Sequence, residues 1–185
     1  MGQFMVFTYL RPFLETVTHV DVSTLSLILL IIGVADFVGT LLIGMLVKEW
    51  LYKTLVVIPI LMAAIAIFLI PLGSFTIATT LLLGVWGFLG TSAPVGWWTW
   101  LARTLPKNAE TGGGLMVAII QLTIMLGSTT GGILYDKLGY YVTFGVSAII
   151  LLIAASLSAL AAARSKAATN PIKSSNHSPV QGAEK

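Results

Sequence analysis

Long apolar runs separated by short polar connections dominate this chain. A helix needs about 20 mostly apolar residues to cross the roughly 30 Å hydrocarbon core of a bilayer. Five stretches meet that length, approximately Ser23 to Val47, Thr54 to Leu72, Thr76 to Leu101, Leu115 to Leu134 and Tyr141 to Ala163. A sixth, Gly2 to about Leu14, begins in mid-pattern at Met1 and is too short to cross alone. It lacks the basic segment and small-residue cleavage site of a signal peptide, so it reads as a helix truncated at its first half. The spans Thr54 to Leu72 and Tyr141 to Ala163 are almost wholly aliphatic, as expected of helices facing lipid. The others hold Gln3, Arg11, Asp36, Gln121 and most of the intramembrane glycines, and are expected to line an interior. From Arg164 to Lys185 the chain is rich in Ser, Asn, Pro and Ala without apolar period, which predicts a membrane unit over 1–163 and a disordered tail over 164–185.

Charge supplies the orientation. Lys48, Lys53, Arg103, Lys107, Arg164, Lys166, Lys173 and Lys185 fall on one side, and the opposite connections carry Glu15, His19 and Asp21, then none, then Asp136 with Lys137. The excess of positive loops on the inner side places the tail in the cytoplasm. On that side the Asn176-His177-Ser178 sequon is a chance match. Only 9% of residues are charged, against roughly 25% in soluble domains, so a soluble domain is excluded. The net charge of +3 belongs to topology, and no nucleic-acid partner is expected. With no cysteine and only His19 and His177, thiolate metal sites and cysteine or serine–histidine hydrolysis are excluded, and no metal or cofactor is expected. A phosphate-binding glycine loop followed by Lys-Ser or Lys-Thr is absent, so the chain is expected to be neither an ATP-driven pump nor an enzyme.

A displacement of 88 residues superposes Gly39, Gly44, Leu46 and Tyr52 on Gly127, Gly132, Leu134 and Tyr140, and Lys48-Glu49 on Asp136-Lys137. Three helices separate the copies, so the matching turns face opposite sides of the membrane. This predicts a 3+3 inverted repeat, an arrangement in which secondary transporters bind substrate at the repeat interface near the midplane.

Asp36 carries the sharpest chemistry, because a carboxylate near the centre of a span costs at least about 2.5 kcal/mol and marks ion or proton pathways. One reading is a carboxyl that exchanges a proton as access to it changes. The other is a carboxylate, neutral or paired with Arg11, that ties two helices together. Arg11 precedes a helix-weakening proline and either snorkels to water or holds an anion, whether Asp36 or substrate. Gln3 and Gln121 are amides that need partners, in another helix or in a solute. Trp97, Trp98 and Trp100 compose an interfacial belt, or Trp97 and Trp100, which share a face, stack on a planar ligand. Gly84, Gly87 and Gly90 form a smooth stripe for helix packing, and Pro94 with Gly96 predicts a bend that serves packing or gating.

Taken together, Gly2-Gln3-Phe4, Phe7-Thr8-Tyr9-Leu10-Arg11-Pro12, Pro94-Val95-Gly96-Trp97 with Thr99-Trp100-Leu101 and Arg103, and Val117-Ala118 with Ile120-Gln121-Leu122 resemble the major facilitator superfamily. The likeness extends to Gly131-Gly132, Asp136 and Gly139 and is to the bacterial drug:proton antiporter branch, including its purine ribonucleoside and sugar efflux pumps. The resemblance implies an all-α multi-pass membrane protein, the carboxyl-terminal six-helix half of a twelve-helix fold. It also implies proton-coupled efflux of small solutes such as nucleosides, sugars or drugs. Asp36 would be the coupling carboxyl, with Gln3, Arg11, Gln121 and Trp97 along the solute path. Two positions depart from the family pattern: Lys48 stands where the loop signature after Gly44 has an acid, and Asp36 stands where a small or hydroxyl residue is expected in nucleoside exporters. The alternative is a truncated, non-transporting six-helix protein that needs a partner, either a separate amino-terminal half or a second copy. An intramembrane enzyme has no second acid, histidine or metal-ligand cluster beside Asp36 to support it.

Overall fold

The computed structural model describes the backbone of residues 1–104 and 109–175, and the side chains of those residues except 43–50, 93, 103, 109 and 165–175. Lys107, Lys185 and the sequon at Asn176 lie outside the described residues, and Gly44, Lys48, Arg103, Lys166 and Lys173 are described in their backbone alone. The helices are α1 (Gly2–Thr8), α2 (Leu10–Thr16), α3 (Val22–Leu72), α4 (Thr76–Gly90), α5 (Ser92–Thr104) and α6 (Ala109–Ser175), with no strand among the described residues. Among the residues described with their side chains, stretches long and apolar enough to cross a membrane are Val22–Leu42, Leu51–Leu72, Thr76–Ala102 and Glu110–Arg164. The protein is an all-helical multi-pass membrane protein.

Two breaks follow from proline chemistry. Pro12 has no N–H for the carbonyl of Thr8, and the first apolar segment divides at Tyr9 (φ −102°, ψ 12°) into α1 and α2. Pro94 stands in the same relation to Gly90, and the expected single span from Thr76 divides at Thr91 into α4 and α5. The bend anticipated at Pro94 and Gly96 thus falls three residues earlier, where the orphaned carbonyl lies.

The longest helices are pairs of arms. At ~1.5 Å per residue the 51 residues of α3 and 67 of α6 would each exceed a bilayer twice over. Ile32 lies against Gly87 and Gly39 against Phe88, so the first arm of α3 runs parallel to α4. Leu55 meets Gly96 and Leu72 meets Thr79, so the second arm runs the opposite way. In α6 the reversal is at Gly139, whose φ of 80° and ψ of 177° favour glycine strongly over any L-residue. Before it, Gly127 and Gly131 pack on Met1 and Met5, parallel to α1; after it, Phe144 packs on Phe13 and Leu151 on Gly2, antiparallel. The five expected spans are therefore present as the two arms of α3, the pair α4 and α5, and the two arms of α6.

Further boundaries have local causes. The α2 to α3 connection turns at His19, whose φ of 55° is left-handed. Asp21 then caps α3, accepting from the Ser23 N–H at 3.1 Å and the Thr24 hydroxyl at 2.5 Å. These bonds favour the ionised carboxyl and hold its pKa below the ordinary aspartate value. At the other end, α6 continues to Ser175 rather than stopping at Ala163, consistent with the helix-favouring alanines at 161–163 and 167–168.

Aliphatic composition does not separate lipid-facing from interior helices. Ile58, Met62, Ala66 and Leu69 of the second α3 arm are buried, and they pack with Phe13, Leu14, Trp86 and Phe144 in the core. In the first arm, which carries Asp36, Leu30 and Phe37 are 62% and 66% exposed. Lipid is as apolar as leucine, so hydropathy carries no signal for which aliphatic face meets protein.

Candidate functional site

The site forms where α1, the first arm of α3, the α4–α5 elbow and the first arm of α6 converge. A cavity of about 390 Å³ lies between them, within the range of small-molecule sites. Phe4, Phe7, Trp86 and Trp97 give it aromatic walls, and Gln3, Asp36, Thr91 and Thr123 supply polar groups.

The centre of this arrangement is Gly90. Because Pro94 cannot donate to it, the Gly90 carbonyl is free, and Gln3 Nε2 donates to it at 3.3 Å. A Cβ at Gly90 would come within 2.9 Å of that amide nitrogen and 3.7 Å of Asp36 Oδ1, so the missing side chain leaves the space both occupy. The Asp36 backbone carbonyl accepts from the hydroxyls of Thr91 at 3.0 Å and Thr40 at 2.9 Å, which fastens this turn of α3 to the elbow. Asp36 itself is half-buried, and no basic side chain lines the cavity among the described residues. The glycine stripe divides by role. Gly87 allows α4 to approach the Ile32 carbonyl, where a Cβ would stand 2.7 Å away, whereas at Gly84 it would meet only an Ile31 methyl at 3.4 Å.

Of the expected residues, Gln3, Asp36, Trp97, Gly87, Gly90 and Pro94 line one cavity, and Gly84 packs beside it. Arg11 and Gln121 do not line it. Arg11 is exposed and donates to Glu15 at 2.8 Å, one turn on in its own helix, so it is not the partner of Asp36. Gln121 is exposed because Ile120 and Thr123, three apart, take the cavity-facing positions of α6, and the next residue points about 100° away. Trp97 meets Trp100 edge to face with centroids 6.0 Å apart, as their spacing predicts, and Trp98 points instead toward Gly113 of α6. Thr91, Thr123, Phe4, Phe7 and Trp86 were not singled out in the sequence. The phase of Thr123 could have identified it, once α6 was known to face α1. Among the described residues no group of His, Asp or Glu could hold a metal.

A second cavity of about 150 Å³ lies behind the first, between the second arms of α3 and α6. Ile58, Met62, Ile150 and Leu151 supply much of its wall, Ser158 adds a hydroxyl, and Gln3 and Trp97 belong to the walls of both cavities.

The sequence profile of the Major Facilitator Superfamily matches residues 1–183. The chain is 58% identical over 167 residues to the Transcription regulatory protein OpdE of Pseudomonas aeruginosa, covering 90% of this chain and 41% of that one. It is 36% identical over 154 residues to the Purine ribonucleoside efflux pump NepI of Salmonella enteritidis, and 37% over 156 residues to that of Escherichia coli O157:H7. These cover 83% and 84% of this chain and 39% of each pump, so the chain spans about two fifths of the relatives it matches. No solved structure gives a significant match.

Proposed function

The chain belongs to the Major Facilitator Superfamily, and on that premise we propose that it forms part of a secondary transporter that exports a small solute in exchange for protons. The observation that carries this reading is the cavity in which a half-buried carboxyl, an amide and two threonine hydroxyls converge between aromatic walls. Such walls suit a planar or amphiphilic solute, and amide and hydroxyl groups suit hydroxyls or ring nitrogens. Relatives named as purine ribonucleoside efflux pumps support a nucleoside-like solute. Asp36 is the coupling group of this proposal: protonated it sits at little cost beside apolar surface, and ionised it needs water or a cation, so its charge state is tied to which side the cavity opens on.

The 3+3 repeat belongs to the same proposal. Gly39 meets Phe88 in α4, and Gly127, 88 residues further on, meets Met1 at the start of α1 in the same close manner. Gln3 and Thr91 also stand 88 apart and line one cavity. Equivalent contacts in both copies support a pseudo-twofold relation. The cavity's exposed side would be closed by a further set of helices, from an amino-terminal half or a second copy, with the tail on the cytoplasmic side.

The test is proton-driven efflux of a labelled nucleoside from vesicles containing the transporter that includes this chain. Asp36→Asn is expected to reduce efflux at least about tenfold with unchanged protein level. Efflux equal to wild type would remove Asp36 from the coupling role.

The relative named as a transcription regulatory protein favours a second reading. Export of an inducer lowers its internal concentration, and transcription changes without contact with nucleic acid. Under this reading Asp36→Asn also abolishes the regulatory effect; direct regulation would leave that effect intact.

A further inference from the structure

We propose that the protein holds an anionic phospholipid in a cleft between the start of the second α3 arm and the end of α6. The cleft is a third cavity of about 420 Å³, lined by Tyr52, Lys53, Val56 and Val57 on α3 and by Ala159, Ala162 and Ala163 on α6. Its depth in the membrane is fixed by two independent features of the chain. The apolar run Thr54 to Leu72 begins directly after Lys53, and the run Tyr141 to Ala163 ends directly before Arg164. Two spans of opposite sense therefore have their boundaries at one cleft, the level of the phospholipid headgroups. The cleft is chemically two-ended. At the boundary Lys53 and Arg164 are both exposed and cationic, and Tyr52 adds a phenol at the height where aromatic hydroxyls meet headgroups. One turn deeper it has only Val56, Val57 and the alanine methyls, which leave room for an acyl chain. A phosphodiester with one net negative charge complements the first end and its hydrocarbon the second, whereas a soluble phosphate would match only the first. The cleft is distinct from the solute cavity and shares none of its lining residues, so the inference is independent of what is transported.

Native mass spectrometry of the purified full chain, delipidated and then titrated with phosphatidylglycerol or phosphatidylcholine, tests this. Wild type is expected to retain phosphatidylglycerol in preference, and Lys53→Gln and Arg164→Gln to lower that retention about fivefold each. Lys53→Arg is expected to keep it. Ala162→Trp, which leaves both charges in place and fills the cleft, is expected to reduce retention as well. It covers the case in which removing charge unfolds the chain. Equal retention of the two lipids by wild type, or undiminished phosphatidylglycerol retention by folded Lys53→Gln/Arg164→Gln or Ala162→Trp, would overturn the proposal.

Discussion

Gly90 is the point at which three helices exchange information through single atoms. Its carbonyl is released by Pro94, taken by Gln3 and approached by Asp36, and none of these residues is near another in the sequence except Pro94. Pro94→Ala is expected to restore an N–H to the Gly90 carbonyl, straighten the elbow and release Gln3. Infrared spectra of a ¹³C-carbonyl label at Gly90 would check this by a shift to the ordinary helical amide frequency. At the membrane boundary, the Asp21 cap makes a pH prediction. Its carboxyl has a folded pKa below the ordinary value near 3.8, so its contribution is complete above that value and is lost as pH falls through the depressed one. Carbon chemical shifts of residues 22–25 are expected to report fraying in that window, and Asp21→Asn is expected to flatten the response while keeping the cap. Asp36 was legible as a residue because a lone acid in an apolar run has few explanations. Its neighbours were not, since Gln3 and Thr91 come from segments 33 and 55 positions away that sequence spacing alone does not connect.

At the scale of elements, the apolar runs predicted the spans because hydrophobic length is a direct physical requirement of the bilayer. They did not reveal which faces pack, and so the aliphatic Thr54 to Leu72 span, expected against lipid, carries much of the core. The glycine stripe was legible as a stripe but not in its division of labour. Gly87→Ala is expected to lower thermal stability in detergent by about 1–3 kcal/mol, because its new methyl would meet the Ile32 backbone, which cannot turn aside. Gly84→Ala should be neutral or slightly stabilising, since its methyl meets only a side chain at van der Waals distance. Equal losses at the two positions would show that helix propensity, rather than close approach, sets the cost.

At the scale of the molecule, the reversals within α3 and α6 turn six assigned helices into a bundle whose arms alternate in direction. The pairing of α1 with the first arm of α6 can be measured directly, because the chain has no native cysteine to interfere. Thr8→Cys with Ser128→Cys, whose hydroxyls are 2.9 Å apart, is expected to form a disulfide readily, and Thr8→Cys with Ser156→Cys is not. The opposite pattern would require a different arrangement of the arms. Arg11 shows why whole-molecule placement escaped the sequence. A cation and a lone acid in neighbouring spans invite pairing, yet Arg11 lies two turns beyond Gln3 and meets Glu15 in its own helix.

Gln3 and Trp97 stand between two chambers, one of about 390 Å³ and one of about 150 Å³. A partition made of side chains has no fixed position, so the capacity offered to a solute depends on an amide rotamer held by one long hydrogen bond. Shortening that residue, as in Gln3→Ala, would merge the chambers and is expected to shift the upper size limit of the solutes accepted more than the affinity for those already fitting. Efflux measured across a series of nucleosides with growing apolar substituents would read that limit. Selectivity in this protein would then be a matter of room rather than recognition.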